Sequence, residues 1–171
     1  GQSAAELRRW AESLRYLDQI PAKQPDTPYL AEALGKRGWA KQNLNRLDEA
    51  LQYYEQAATQ SRCEAGAHAR FLMGEIQFER KQYEEAVKSF LRAMYGYGGD
   101  NATKEVKHWQ AMAAFEAGRC TEVQIQQTRD PQARTKLVTD AKTYFGFVVQ
   151  RHPDHELAAQ AQRRLETLAK L

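Results

Sequence analysis

The chain has 171 residues, 42% of them hydrophobic and 27% charged, which suits one globular domain with a real core. A formal charge of +3 excludes the high-charge route to disorder and is too small for a phosphate-backbone binder, so nucleic acid is not an expected partner. Twenty-six Ala stand against 30 Leu, Ile, Val and Phe together, a balance that favours helices and leaves little for strands.

The first predicted helix covers 3–20, with a capping box from Ser3 and Glu6 and an apolar stripe from Leu7, Trp10, Leu14 and Leu17. Thr27-Pro28 opens a second over 28–43, since Thr accepts the first free N–H groups and Pro has none to waste. Helices over 47–61, 66–80 and 83–97 follow, the last closed by Gly96, Gly98 and Gly99. Another covers 101–117, after which Cys120 to Arg129 read as a bridging loop with Val123 and Ile125 folded into a small apolar patch. Asp130-Pro131 starts the next helix, 131–151, where Leu137, Val138, Ala141, Tyr144, Phe145, Val148 and Val149 keep helical spacing. At about 30 Å it is the longest helix expected, and its first turns project beyond the paired helix. Asp154 after Pro153 marks the last helix, 155–170. No run approaches the roughly 20 apolar residues of a membrane span, and no charged-then-apolar leader opens the sequence.

Two stretches share one spacing. From Ala31, Gly38 is followed by Leu47-Asp48-Glu49-Ala50, Tyr54 and Ala57; from Ala67, Gly74 is followed by Tyr83-Glu84-Glu85-Ala86, Phe90 and Ala93. Gly38 to Ala50 and Gly74 to Ala86 are both 12 residues. Closely crossing helices need Gly or Ala at the contact, and an aromatic residue four after the second small one fills the gap beside it. A third copy places Ala111, Phe115 and Gly118 on its first helix and turn, and Ala141, Phe145, Val148 and Pro153 on its second. Ala111 to Ala141 is 30 residues, which implies about 18 inserted ones. The expected organisation is a single domain: 1–27 a truncated-repeat helix, 31–64 and 67–100 two repeats, 104–153 a third with an insertion at 119–136, and 154–171 a capping helix. Leu17, Ile20, Pro25, Asp26, Ala31 and Ala33 repeat the spacing of Phe145, Val148, Pro153, Asp154, Ala159 and Ala161. The first helix therefore reads as the second helix of a repeat whose first is missing, as in a piece of a longer array.

This pattern resembles the tetratricopeptide repeat (TPR), a helix-turn-helix of about 34 residues. The resemblance implies an all-α fold, a right-handed α-α superhelix of helix-turn-helix repeats, because one hairpin cannot bury its own faces. It also implies a scaffold that binds a protein or peptide, not an enzyme. The Pro-Asp and Ala-x-Ala punctuation is similar to that of TPR proteins of the bacterial cell envelope, of the outer-membrane assembly lipoprotein and Tol-Pal coordinator type, which implies a periplasmic or envelope location.

In such arrays the first helix of each repeat lines the concave face at its second, fifth, ninth, twelfth and thirteenth positions. The resemblance thus assigns to a partner-binding groove Glu32, Gly35, Trp39, Gln42 and Asn43, then His68, Phe71, Glu75, Phe78 and Glu79, then Glu105, His108, Met112, Phe115 and Glu116. Family members that clamp a C-terminal carboxylate carry Lys and Asn where this chain has Gly35 and Trp39, and Lys where it has Glu105, so that ligand is not expected. Aromatic anchors among Glu residues suit an apolar peptide or helix with some positive charge. Phe78 and Phe115 read equally well as core. The second reading is a structural domain that forms a homo-oligomer through its N-terminal helix.

Other chemistry is weakly signalled. His152 and His155 lie in a His-Pro-Asp-His turn without further metal ligands nearby, and His68 and His108 stand early in successive helices. Cys63 and Cys120 have no metal or redox spacing and are expected to stay unbonded at opposite rims. The Gly-rich stretch 95–101 lacks the Gly-Lys-Ser/Thr ending of a phosphate loop. The Asp48-Glu49 and Glu84-Glu85 pairs open helices, where the macrodipole favours carboxylates. No cofactor, metal or catalytic set is expected.

Overall fold

The computed structural model describes residues 4–17 and 29–171, and among them eight α-helices and no strand occur. They are α1 (Ala4–Leu17), α2 (Leu30–Asn43), α3 (Leu47–Gln60), α4 (Glu64–Glu79), α5 (Tyr83–Tyr95), α6 (Lys104–Gln127), α7 (Pro131–Arg151) and α8 (Ala158–Leu168), with a 3-10 turn at Gly99–Asn101. The Ser3 capping box, the Thr27-Pro28 pair and the Ile20, Pro25 and Asp26 punctuation lie outside the described residues. Each helix packs on the next in chain order, and α4 also touches both α2 and α6. Helices α2, α4 and α6 therefore make one layer and α3, α5 and α7 the other, the expected all-α stack of hairpins.

Each hairpin closes on a glycine and a ring. A Cβ on Gly38 would stand 2.6 Å from the Tyr54 ring, on Gly74 2.5 Å from Phe90, and on Gly118 2.6 Å from Phe145. All three rings are completely buried, so they have no free space to yield. The turns between paired helices are also alike in the first two hairpins. The N–H of Lys81 donates to the carbonyl of Phe78 and that of Gln82 to Gln77, while Asn45 and Arg46 repeat the pattern on Gln42 and Lys41. This closure places Asn45 and Lys81 in the left-handed region, at φ 57° and 61°.

The third hairpin departs from the sequence-based reading. Its small contact residue is Gly118, not Ala111: Gly38 to Tyr54 and Gly74 to Phe90 each span 16 residues, and Gly118 to Phe145 spans 27, so the insertion is 11 residues, not 18. The extra residues are helical and shared between the two partners. Helices α2 and α4 end five residues after their glycines, whereas α6 continues for nine, and α7 begins ten residues before Ala141 where α3 and α5 begin three before Ala50 and Ala86. The longest helix is consequently α6, with 24 residues against 21 in α7, and residues 120–127 are helix instead of loop. Ile125 is buried as foreseen, but from within α6. The two extensions cover each other, so α7 does not project alone; it runs without a break through Thr139 and Asp140.

Caps follow the sequence in part. The Asp130 carboxylate accepts from the N–H of Gln132 at 3.0 Å, with Pro131 in the first turn. The Pro153-Asp154 start is not used: residues 153–157 form turns tied by His155 N–H to His152 and Ala158 N–H to His155, and α8 begins only at Ala158. Asp48 and Glu49 stand in the first turn of α3, where Asp48 reaches Arg80 of the next hairpin at 2.7 Å and Glu49 reaches Lys41 within its own at 2.6 Å. Both cysteines are free. Cys63 is exposed before α4, and Cys120 is enclosed inside α6, where burial pushes its thiol up to about 12. At the other end, α1 lays Leu14 and part of Trp10 on α2, and Trp10 meets the Trp39 ring edge-on at 4.4 Å. Among the described residues no helix is long and apolar enough to cross a membrane.

Candidate functional site: the groove along the first helices

The residues assigned to a groove in the first two repeats stand on α2 and α4, and their surroundings are unequal. Phe71 is 3% exposed and packs on Phe90 and Trp109 with ring centres 5.6 and 5.3 Å away. Phe115 is 5% exposed and meets Phe145 edge-on. These two are core. Phe78 is half-buried between the edge of Tyr83 and the guanidinium of Arg119. Trp39 is 49% exposed and forms an open wall. Gln42 accepts from the Tyr54 hydroxyl at 2.8 Å, and Asn43 donates to the Trp39 carbonyl at 2.8 Å, so both serve the hairpin itself. Glu32 pairs with Lys36 at 2.6 Å on the surface.

In the third repeat the Gly118 register moves the groove positions by seven residues, to Met112, Phe115, Arg119, Glu122 and Val123. Of the sequence-based set, half-buried Met112 and core Phe115 fall on equivalent positions. Glu105 belongs to the first turn of α6, where its own N–H and the Thr103 hydroxyl hold its carboxyl below the usual range. His108 is exposed and lies at 3.0 Å from His155. Glu116 is half-buried and takes a two-pronged bond from Arg119 at 2.9 Å.

Between α2 and α4 the groove deepens into a cleft of about 590 Å³, floored by Gly35, Ala65, Ala69 and Leu72 and walled by Trp39 and His68. The His68 ring lies flat on Trp109 at 3.9 Å, which fixes that wall, and burial followed by the nearby His108 holds its pKa down. Further along, Glu75 is half-buried beside Glu116 and Glu79; burial first, then those two charges, push its carboxyl up to about 7. A carboxyl whose pKa is higher folded than unfolded contributes stability below its unfolded value, and that stability is lost as pH rises through about 7. Glu75→Gln is therefore expected to raise stability at pH 8 by about 1–2 kcal/mol after allowance for solvent screening, and to change nothing at pH 4. Urea unfolding at the two pH values measures the difference; an equal effect at both would contradict it.

The histidine arrangement was not legible in the sequence. The Leu157 N–H donates to Nδ1 of His155, which leaves the proton on Nε2, and this donates to Nδ1 of His108. The facing nitrogens are thus satisfied by each other. Among the described residues no three His, Cys, Asp or Glu side chains converge on a metal position.

The tetratricopeptide repeat family model matches residues 31–62 and 67–95. These are tetratricopeptide repeats. No curated protein and no solved structure matches the chain. Helices α2 and α4, the first helices of these two TPR units, supply both sides of the cleft. The lengthened hairpin of α6 and α7 lies outside the matched residues.

Proposed function

We propose that this TPR protein is a non-catalytic interaction module that holds a peptide or helix of a partner protein along α2, α4 and α6. The cleft at Gly35 carries this reading, because it is a preformed apolar hollow with an exposed tryptophan at its edge, on the layer where groove residues from successive repeats meet. Glu75 and Glu79 extend that surface with carboxyl groups, which suits a partner that offers basic residues beside an apolar anchor. Contacts are assigned to Trp39, His68, Glu75, Glu79 and Met112, with Glu32 on the rim. Paired substitutions test the assignment: Trp39→Ala with Glu79→Lys is expected to abolish capture of a partner, and Lys88→Glu on α5 to leave it intact. Equal capture by both variants would sink the groove reading.

A second reading has its own observation. Trp10, Tyr16 and Trp39 line an apolar hollow of about 430 Å³ between α1 and α2, and Tyr16 is 74% exposed. This edge suits self-association, which sedimentation across a concentration series measures directly, with Tyr16→Ser expected to shift the chain toward monomer.

A further inference from the structure

We infer that the Gly35 cleft receives an aromatic side chain of the partner, flanked by a basic residue, at the place where the protein's own next pair of repeats holds a Phe–Trp pair. The inference rests on the groove reading above and specifies its occupant. When the hairpins are aligned on Gly38, Gly74 and Gly118, the residue three before each glycine is Gly35, Phe71 and Phe115. The residue nine before is Ala65 on α4 and Trp109 on α6. Between α4 and α6, Phe71 and Trp109 pack with ring centres 5.3 Å apart, and Phe71 is all but sealed. Between α2 and α4 the same two places hold Gly35 and Ala65, and both line the open cleft. A Cβ on Gly35 would meet nothing within 4 Å, whereas the contact glycines Gly38, Gly74 and Gly118 each face a ring under 3 Å away.

The architecture thus builds one inter-repeat cleft filled with aromatic rings and one with both rings removed. What remains is shaped and lined for a ring: Ala69 and Leu72 give an apolar floor, and Trp39 offers an aromatic wall for edge or face contact. An apolar hollow open to water gains from being filled, and an aromatic side chain brings the largest apolar area for the least lost conformational freedom. The charge beside the ring follows from the rim. Lys36 is already paired with Glu32, while Glu64 at the cleft has no basic partner among the described residues, and half-buried Glu75 follows on the same helix. A cation next to the ring meets these carboxylates.

The test is selection of randomised 12-residue displayed peptides on the whole chain, followed by affinity measurement against wild type, Gly35→Phe and Glu75→Lys. Gly35 is helical with open space above it, so Gly35→Phe should fold and place its own ring in the cleft. The expected result is binders that share an aromatic residue next to Lys or Arg and lose at least about tenfold in affinity for Gly35→Phe. Were that variant to misfold, replacing the peptide's aromatic by Ala should cost the same tenfold against wild type. Binders weakened by Glu75→Lys but indifferent both to Gly35→Phe and to loss of their aromatic would overturn this inference and leave the groove reading standing. Binders insensitive to every change, or none at all, would overturn both.

Discussion

Phe90→Ala is expected to cost about 3–5 kcal/mol of folding stability. The ring is completely enclosed, rests on the backbone of Gly74 and packs against Phe71, so its removal opens a void where α4 crosses α5. Neighbouring helices cannot close that void without breaking their own contacts, because α4 is also held by α2 and α6. In a stacked array stability is passed between neighbours, and this hairpin lies in the middle. The loss should therefore blur the transition into two as well as lower its midpoint, separating the flanking hairpins. Urea unfolding followed by circular dichroism measures both features; a single transition shifted by less than 1 kcal/mol would count against the glycine–ring account of the hairpins.

Gly118→Val is expected to destabilise by at least about 2 kcal/mol, against a helix-propensity gain of a few tenths. Three atoms of the Phe145 ring stand within 2.8 Å of where its Cβ would be, and that ring has no exposed surface into which to swing. The sequence alone places the small contact residue at Ala111 and Gly118 at the turn. The substitution thus decides between two registers of the third repeat. Gly146→Ala, on α7 where the nearest atom is 4.0 Å away, is the control, and it should hold or raise stability.

The first two repeats were legible because their signals coincide. Gly38 with Tyr54 and Gly74 with Phe90 sit at one spacing, and acidic first turns mark α3 and α5 in both. The third was misread because Ala is so frequent: Ala111, Ala113, Ala114 and Ala117 all satisfy a small-residue rule, and only the packed ring of Phe145 selects Gly118. The lengthened α6 escaped notice because Cys120, Thr121 and Val123 are weak helix formers in isolation, and tertiary burial of Thr121 and Ile125 overrides that preference. That Trp39 and the carboxylates Glu32, Glu75 and Glu79 stand on the first helices of the two repeats follows from the repeat spacing. That Phe71 is core while Gly35 leaves a hollow needs the third dimension, since it depends on Trp109 across the interface. The His108–His155 contact joins residues 47 positions apart on elements whose approach no local pattern encodes.

The most direct measurement of where this protein binds is a backbone amide NMR map of the whole chain saturated with a selected peptide. The groove account predicts that the largest shifts fall on Gly35, Trp39, Ala65, His68 and Ala69 of α2 and α4, continue to Glu75, and are absent from the outward faces of α3 and α5. Shifts centred on α3 and α5, or confined to Trp10 and Tyr16 of α1, would contradict it.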